Sequence, residues 1–246
     1  MTETTPLFEE LDFCATPIGA LSLRRRRDLR LGREVYEIKL GEEFLMSSAF
    51  TASEIALADL GVAAAQTERG DELDILVGGL GLGYTAQAAL AQPRVGSVLV
   101  IDYLQAVIDW HATGLLPLGA GLCGDPRCRF EQGDFFALAA SEEGFDPRQP
   151  GRRFHAILLD IDHSPEALLD PRSESFYAPA GLARLSRSLH PGGIFALWSN
   201  EPPNPAFLDR LSGAFPSAWA EPVVFDNPLQ EAPFTQSVYL ARAAAD

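Results

Sequence analysis

The chain has 246 residues, 34 Asp+Glu against 19 Lys+Arg, a formal net charge of −15 and 47% hydrophobic residues. That apolar fraction excludes wholesale disorder, and the length suits one large domain or one domain with a small appendage. So acidic a chain repels phosphate backbones, and no apolar run reaches the roughly 18 residues of a membrane-spanning helix, so neither nucleic acid nor membrane is expected as a partner. The polar start, Met1 to Thr5, does not read as a secretory signal. Cys14, Cys123 and Cys128 read as free thiols of a reducing compartment, without metal-site spacing. A cytoplasmic protein with no metal is the expectation.

In chain order, Pro17 to Leu23 and Val35 to Leu40 alternate as strands, and Glu43 to Met46 adds a third short one. Between the first two lies Arg24-Arg25-Arg26-Arg27, read as a solvated hairpin turn or edge rather than a phosphate patch. Thr51 to Leu60 reads as a helix capped by Thr51 or Ser53, with Ile55, Leu57, Ala58 and Leu60 as its buried stripe. Residues 1–50 thus form a small β region, and 51–246 a Rossmann-like nucleoside-binding domain.

From residue 73 buried strands alternate with helices. The strands are Leu73 to Val77, Ser97 to Ile101, Cys128 to Glu131, Phe154 to Leu159 and Ile194 to Trp198. The helices are Tyr84 to Ala91, Leu104 to Thr113, Pro179 to Leu189 and Pro205 to Phe215, and Val223 to Phe225 with Thr235 to Ala241 closes as an antiparallel pair. The pattern predicts an α/β, doubly wound, mostly parallel seven-stranded sheet with a small N-terminal β region. Ligands of such sheets bind beyond the carboxyl ends of the strands.

Those ends carry the candidate residues. The first strand runs into Gly78-Gly79-Leu80-Gly81-Leu82-Gly83, where Gly79, Gly81 and Gly83 let a ligand approach main-chain amides at a helix start. The second ends at Asp102-Tyr103, where the acid can accept from both hydroxyls of a ribose. The third leads into Gly133-Asp134-Phe135, a carboxylate for an adenine amino group with an aromatic wall; the bland alternative is a helix cap. The fourth ends in Asp160-Ile161-Asp162-His163, the densest polar cluster, able to orient an amine and take its proton. Trp198 ends the fifth and can wall a pocket, whereas His111 reads as structural.

As a set, the small N-terminal strands, Gly78-Gly79, Asp102, Gly133-Asp134, Asp160, Phe176-Tyr177 and Pro191-Gly192-Gly193 resemble the spermidine synthase (polyamine aminopropyltransferase) family of the class I adenosylmethionine-dependent methyltransferase fold. The resemblance implies S-adenosylmethionine, or its decarboxylated form, as donor, with Asp102 on the ribose, Asp134 on the adenine and Asp160 deprotonating the attacking amine. It carries the family's second acid to Asp162 and places Tyr177 near the substrate, and the cluster itself offers Asp162 or His163 as helpers of Asp160. The family often forms dimers or tetramers, which makes a homodimer the assembly the resemblance suggests.

Departures from the family pattern bear on the reaction. The family's donor-binding Asp in the first loop falls at Gly81, its polyamine-site Gln and Tyr at Met46 and Ala52, and a common Gln at Trp198. An ammonium without the first-loop carboxylate loses a charge-assisted bond of roughly 1.5–3 kcal/mol. On that ground the sequence slightly favours methyl transfer to a small-molecule acceptor, an amine among the candidates. Aminopropyl transfer to a diamine is the alternative, and a non-catalytic nucleoside-binding protein a further one. The glycine loop and Asp102 also permit nicotinamide binding, which the Gly133-Asp134 loop and the antiparallel closing strands disfavour.

Overall fold

The computed structural model describes residues 6–66, 72–228 and 232–245. The reading of Met1 to Thr5 lies outside the described residues. Four antiparallel strands come first: β1 (Phe8–Thr16), β2 (Gly19–Asp28), β3 (Arg33–Leu40) and β4 (Glu43–Ser47), paired in that order. The first was not expected from sequence, and the arginines are not in a turn. Arg24 to Arg27 lie inside β2, opposite Glu10 and Glu9 of β1, and Arg26 reaches Glu37 and Asp28. Arg24, Arg25 and Arg26 thus pair with carboxylates across and along the strands, so their charge is answered within the sheet.

The second sheet has the order β10-β11-β9-β8-β5-β6-β7. Its parallel strands are β5 (Leu73–Gly78), β6 (Val95–Asp102), β7 (Cys128–Gln132), β8 (Phe154–Leu159) and β9 (Leu189–Ser199); β10 (Ser217–Asn227) and β11 (Ala232–Arg242) run antiparallel beside β9. The doubly wound, mostly parallel seven-stranded architecture agrees with the sequence expectation. Each central strand is a short apolar run because both its faces are covered. One face carries α1 (Ala52–Ala64), α2 (Tyr84–Ala91), α3 (Gln105–Ala112) and α4 (Gly119–Gly124), packed through residues such as Leu57, Ala86, Val107 and Leu122. The other carries α5 (Phe135–Ala140), α6 (Pro179–Leu185) and α7 (Pro205–Ala214) over an aromatic core that includes Phe135, Phe176 and Phe207. Leu21, Leu23 and Ile38 of the N-terminal sheet join the first core, so the two sheets share buried surface.

Two boundaries differ from the sequence reading for identifiable reasons. The helix expected to run to Leu189 stops at Leu185, and β9 begins at Leu189. The strand expected from Ile194 thus also takes in Pro191-Gly192-Gly193, where the pairing with β8 shifts register between Phe154 and Ala156. A local irregularity of this kind accommodates Pro and Gly inside a strand. The buried face of α1 is Ser53, Glu54, Leu57, Ala58, Gly61 and Val62; Ile55 is 40% exposed. Leu57 and Ala58 are buried as expected and Leu60 packs partly against the core, but Ile55 faces outward and Glu54 is buried. Among the described residues no helix is long and apolar enough to cross a membrane.

The chain passes from β5 outward through β6 and β7, then returns to β8 on the other side of β5. The order reverses between β5 and β8, so the crevice lies beyond the Gly78-Gly79 and Asp160 ends of those strands.

Candidate active site

A cavity of about 410 Å³ occupies this crevice. Its floor is the first loop, held by backbone bonds: the Gly79 N–H donates to the Ile101 carbonyl at 2.9 Å and the Asp160 N–H to the Gly78 carbonyl at 2.8 Å. Gly79 has φ +93°, and a β-carbon there would overlap the Asp160 carbonyl oxygen. Gly81 has φ +48°, and its β-carbon would lie 2.8 Å from the Met46 sulfur. Met46 in turn accepts the Leu82 N–H at 3.2 Å, so β4 of the N-terminal sheet roofs the loop. Gly83 lies behind the cavity at the start of α2, where a β-carbon would meet Leu122 and His111. His111 is buried with Nε2 2.9 Å from the Gly81 carbonyl, a structural prop as expected, and burial holds its pKa below the usual range.

Asp102 ties two backbone segments together and faces the cavity. Its oxygens accept the Leu80 N–H and the Leu104 N–H, both at 2.8 Å, and it also lines the cavity. One bond ties the glycine loop and the other starts α3. Burial pushes its pKa up, and these backbone bonds oppose the rise. Each carboxylate oxygen has about two lone-pair sites, so acceptor capacity remains for a ligand.

Asp160 lines the same cavity, and its Oδ2 accepts from the Thr85 hydroxyl of α2 at 2.7 Å. Facing it is a residue that sequence reasoning missed, Glu54 of α1, which is 7% exposed. Burial and the neighbouring Asp160 push the Glu54 carboxyl up to about 7, against a 2.7 Å bond from the Ser53 hydroxyl. Burial pushes Asp160 up to about 6, against the Thr85 bond. Two carboxyls sharing a desolvated space resist simultaneous ionisation, and together they form a proton-accepting or cation-binding pair that titrates near neutrality. Neither Lys nor Arg is among the described residues that line this cavity.

Tyr103, His163 and Trp198 complete the expected wall. His163 Nε2 lies 3.0 Å from Glu43 Oε1, which ties β4 to the loop after β8 as well. The Trp198 indole nitrogen is buried without a partner among the described residues, so a ligand acceptor atom can satisfy it. Beyond Trp198 the wall is built by Phe50, Phe225, Phe234 and Gln236.

The other predicted residues lie elsewhere. A second cavity of about 320 Å³ shares Ile18, Tyr103, Ile161 and Leu169 with the first and is lined by Asp134, Phe135 and Asp162. Asp134 caps α5, with Oδ1 accepting the Phe136 N–H at 3.0 Å and the Ala137 N–H at 3.1 Å. Gly133 is held by its N–H to the Asp102 carbonyl at 2.9 Å. Asp162 is buried and accepts the Leu169 N–H at 2.7 Å, the Tyr177 hydroxyl at 2.7 Å and the Ser173 hydroxyl at 3.3 Å. These bonds and its position separate Asp162 from Asp160, and they make it the organiser of the segment that follows. Tyr177, expected near the substrate, is 1% exposed in the aromatic core and lines neither cavity. A separate group, Asp74, His155 and His190, brings its ligating atoms within 4.8 Å of one another at the strand starts, away from the crevice, and Arg152 already binds Asp74 at 2.7 Å.

The strand order, the glycine loop after β5 and the acid ending β6 define the class I methyltransferase-like fold. Within it, the N-terminal four-stranded sheet and the antiparallel β10–β11 closure give the form found in the spermidine synthases. A spermidine synthase in complex with the transition-state analogue AdoDATO superposes with a TM-score of 0.71 at 15% identity, over 96% of this chain and 74% of the other. The spermidine synthase from Thermotoga maritima gives 0.69 at 15% identity, over 96% and 73%. No family model matches the sequence.

Proposed function

We propose that the protein is a transferase that binds decarboxylated S-adenosylmethionine and passes its aminopropyl group to a primary amine. The observation that carries this reading is the electrostatics of the larger cavity: Glu54, Asp102 and Asp160 line it with no Lys or Arg among the described lining residues. Such a site favours a ligand with cationic groups and no carboxylate. The slight preference for methyl transfer rested on the missing carboxylate at Gly81; Glu54 offers one from α1 instead, and removes that reason. The analogue bound by one neighbour, AdoDATO, is in keeping with the same donor class.

The residues present fit the donor. Asp102 keeps acceptor capacity for two ribose hydroxyls. Both backbone bonds of Asp134 fall on Oδ1, which leaves its second oxygen for an adenine amino group in the adjoining cavity. Tyr103 stands between the two compartments and can flank the base.

The donor's sulfonium supplies the leaving group, so the protein has to position, desolvate and deprotonate. Asp160, held by Thr85, takes the proton of the incoming ammonium, and Glu54 beside it faces the donor's own ammonium. The freed nitrogen lone pair forms the new C–N bond as the C–S bond breaks and its electron pair moves to sulfur. Incubation with decarboxylated donor and a panel of primary amines tests the reading by release of the thioether nucleoside. Asp160→Asn is expected to lower turnover by about 10²–10⁴-fold. No release with any amine, or full activity of Asp160→Asn, contradicts it.

A further inference from the structure

The larger cavity has two unlike ends. Asp160 and Glu54 line it as neighbours and form its acidic part. The end toward β10 and β11 is aromatic. Phe50 and Phe225 stack with centroids 5.9 Å apart at 28°, and Phe225 lies 5.9 Å from Phe234 at 56°. Its polar groups are neutral amides, and the Gln236 side-chain nitrogen is already donated to Asn200 at 2.8 Å. Among the described lining residues the acids are Glu54, Asp102 and Asp160, and none of them lies on β10 or β11.

We infer that the acceptor is a primary monoamine with an apolar, aryl-sized tail, and not a diamine. The inference rests on the amine-transfer reading above. A diamine brings a second ammonium, which in this cavity would leave water for a wall of phenylalanines and neutral amides. An aromatic face attracts a cation, but it does not replace the paired and hydrogen-bonded carboxylate that a buried charge requires. An aryl or alkyl tail, by contrast, buries apolar surface against apolar surface and stacks on Phe225. The amine end then meets Asp160, and the tail fixes its direction.

The test measures binding separately from turnover. Titration calorimetry first establishes binding of the product nucleoside 5′-methylthioadenosine. The nucleoside complex is then titrated with 2-phenylethylamine, hexylamine and 1,4-diaminobutane. The two monoamines are expected to bind at least about tenfold more tightly than the diamine and to be the better acceptors with decarboxylated donor. Phe225→Ala is expected to weaken 2-phenylethylamine about tenfold with the nucleoside dissociation constant unchanged. Gln236→Glu, which sets a carboxylate at the aromatic end, is expected to raise the relative affinity for the diamine by a similar factor. If the nucleoside binds and the diamine binds as well as or better than the monoamines, the acceptor assignment is wrong and donor binding stands. Nucleoside binding with no amine binding also overturns it. Failure of the nucleoside itself to bind removes the proposed function together with the inference.

Discussion

Glu54 is destabilising where it stands. Its carboxyl is raised from the usual range to about 7 by burial and by Asp160, so the folded protein holds a proton there that the unfolded chain releases. Stability from this group is present below the unfolded value of 4.5 and falls as pH rises from there through about 7. Glu54→Gln should therefore raise stability at pH 8 by roughly 1–3 kcal/mol, with the gain vanishing below pH 5, as measured by urea unfolding at several pH values. The same substitution should cost activity, since a site that holds charges for chemistry trades stability for function. The pair's values of about 6 and 7 also predict that kcat/KM falls as pH drops through that window, when the proton acceptors fill. Asp102 can be tested on binding alone: Asp102→Asn should weaken nucleoside binding by about 10–100-fold in calorimetry, the value of a lost charge-assisted bond. Asp102 and Asp160 were legible in the sequence because each ends an apolar strand beside a glycine-containing or polar loop. Glu54 was not. An acid in a first helical turn ordinarily complements the helix dipole from the solvent side, and the apolar spacing suggested Ile55 for the buried face that also takes in Glu54, where Leu57 and Ala58 are buried as expected.

At the scale of elements, the loop between β5 and α2 works because three of its glycines sit at positive φ and crowd against other chain segments. Gly79→Ala should lower stability by at least roughly 2 kcal/mol and displace Asp160, whose carbonyl oxygen occupies the space a β-carbon would need. A melting curve together with nucleoside titration checks both effects. The Asp162 hub makes a separate claim about the segment after β8. Tyr177→Phe removes one of its bonds and should lower stability by about 1–3 kcal/mol while leaving nucleoside affinity within a few-fold, since Tyr177 lines neither cavity. Strands with continuous apolar runs, β5, β6 and β8, were read nearly to their ends because burial on both faces leaves that signature. β1 was not, since its nine residues include Glu9, Glu10 and Asp12, whose role is to answer the β2 arginines and, for Asp12, to accept the Trp110 indole N–H at 2.6 Å. Such cross-strand pairing is invisible until the partner strand is placed.

At the scale of the molecule, the crevice is closed by parts distant in sequence. The N-terminal sheet roofs it through Met46 on the glycine loop and Glu43 on His163, and the β10–β11 hairpin supplies its aromatic end. The fold class follows from strand and helix alternation, but the cavity's composition does not, because Phe50, Phe225, Phe234 and Glu54 converge only through the packing of two sheets and α1. That convergence gives the cavity both acidic and aromatic lining, and it is the ground of the proposed preference for a donor without a carboxylate. Isothermal titration of the protein with decarboxylated S-adenosylmethionine and with S-adenosylmethionine, side by side at pH 8, tests this most directly. The account predicts that the decarboxylated donor binds at least about tenfold more tightly, because the carboxylated one sets an anion against Glu54 and Asp160. Equal or tighter binding of S-adenosylmethionine would contradict it.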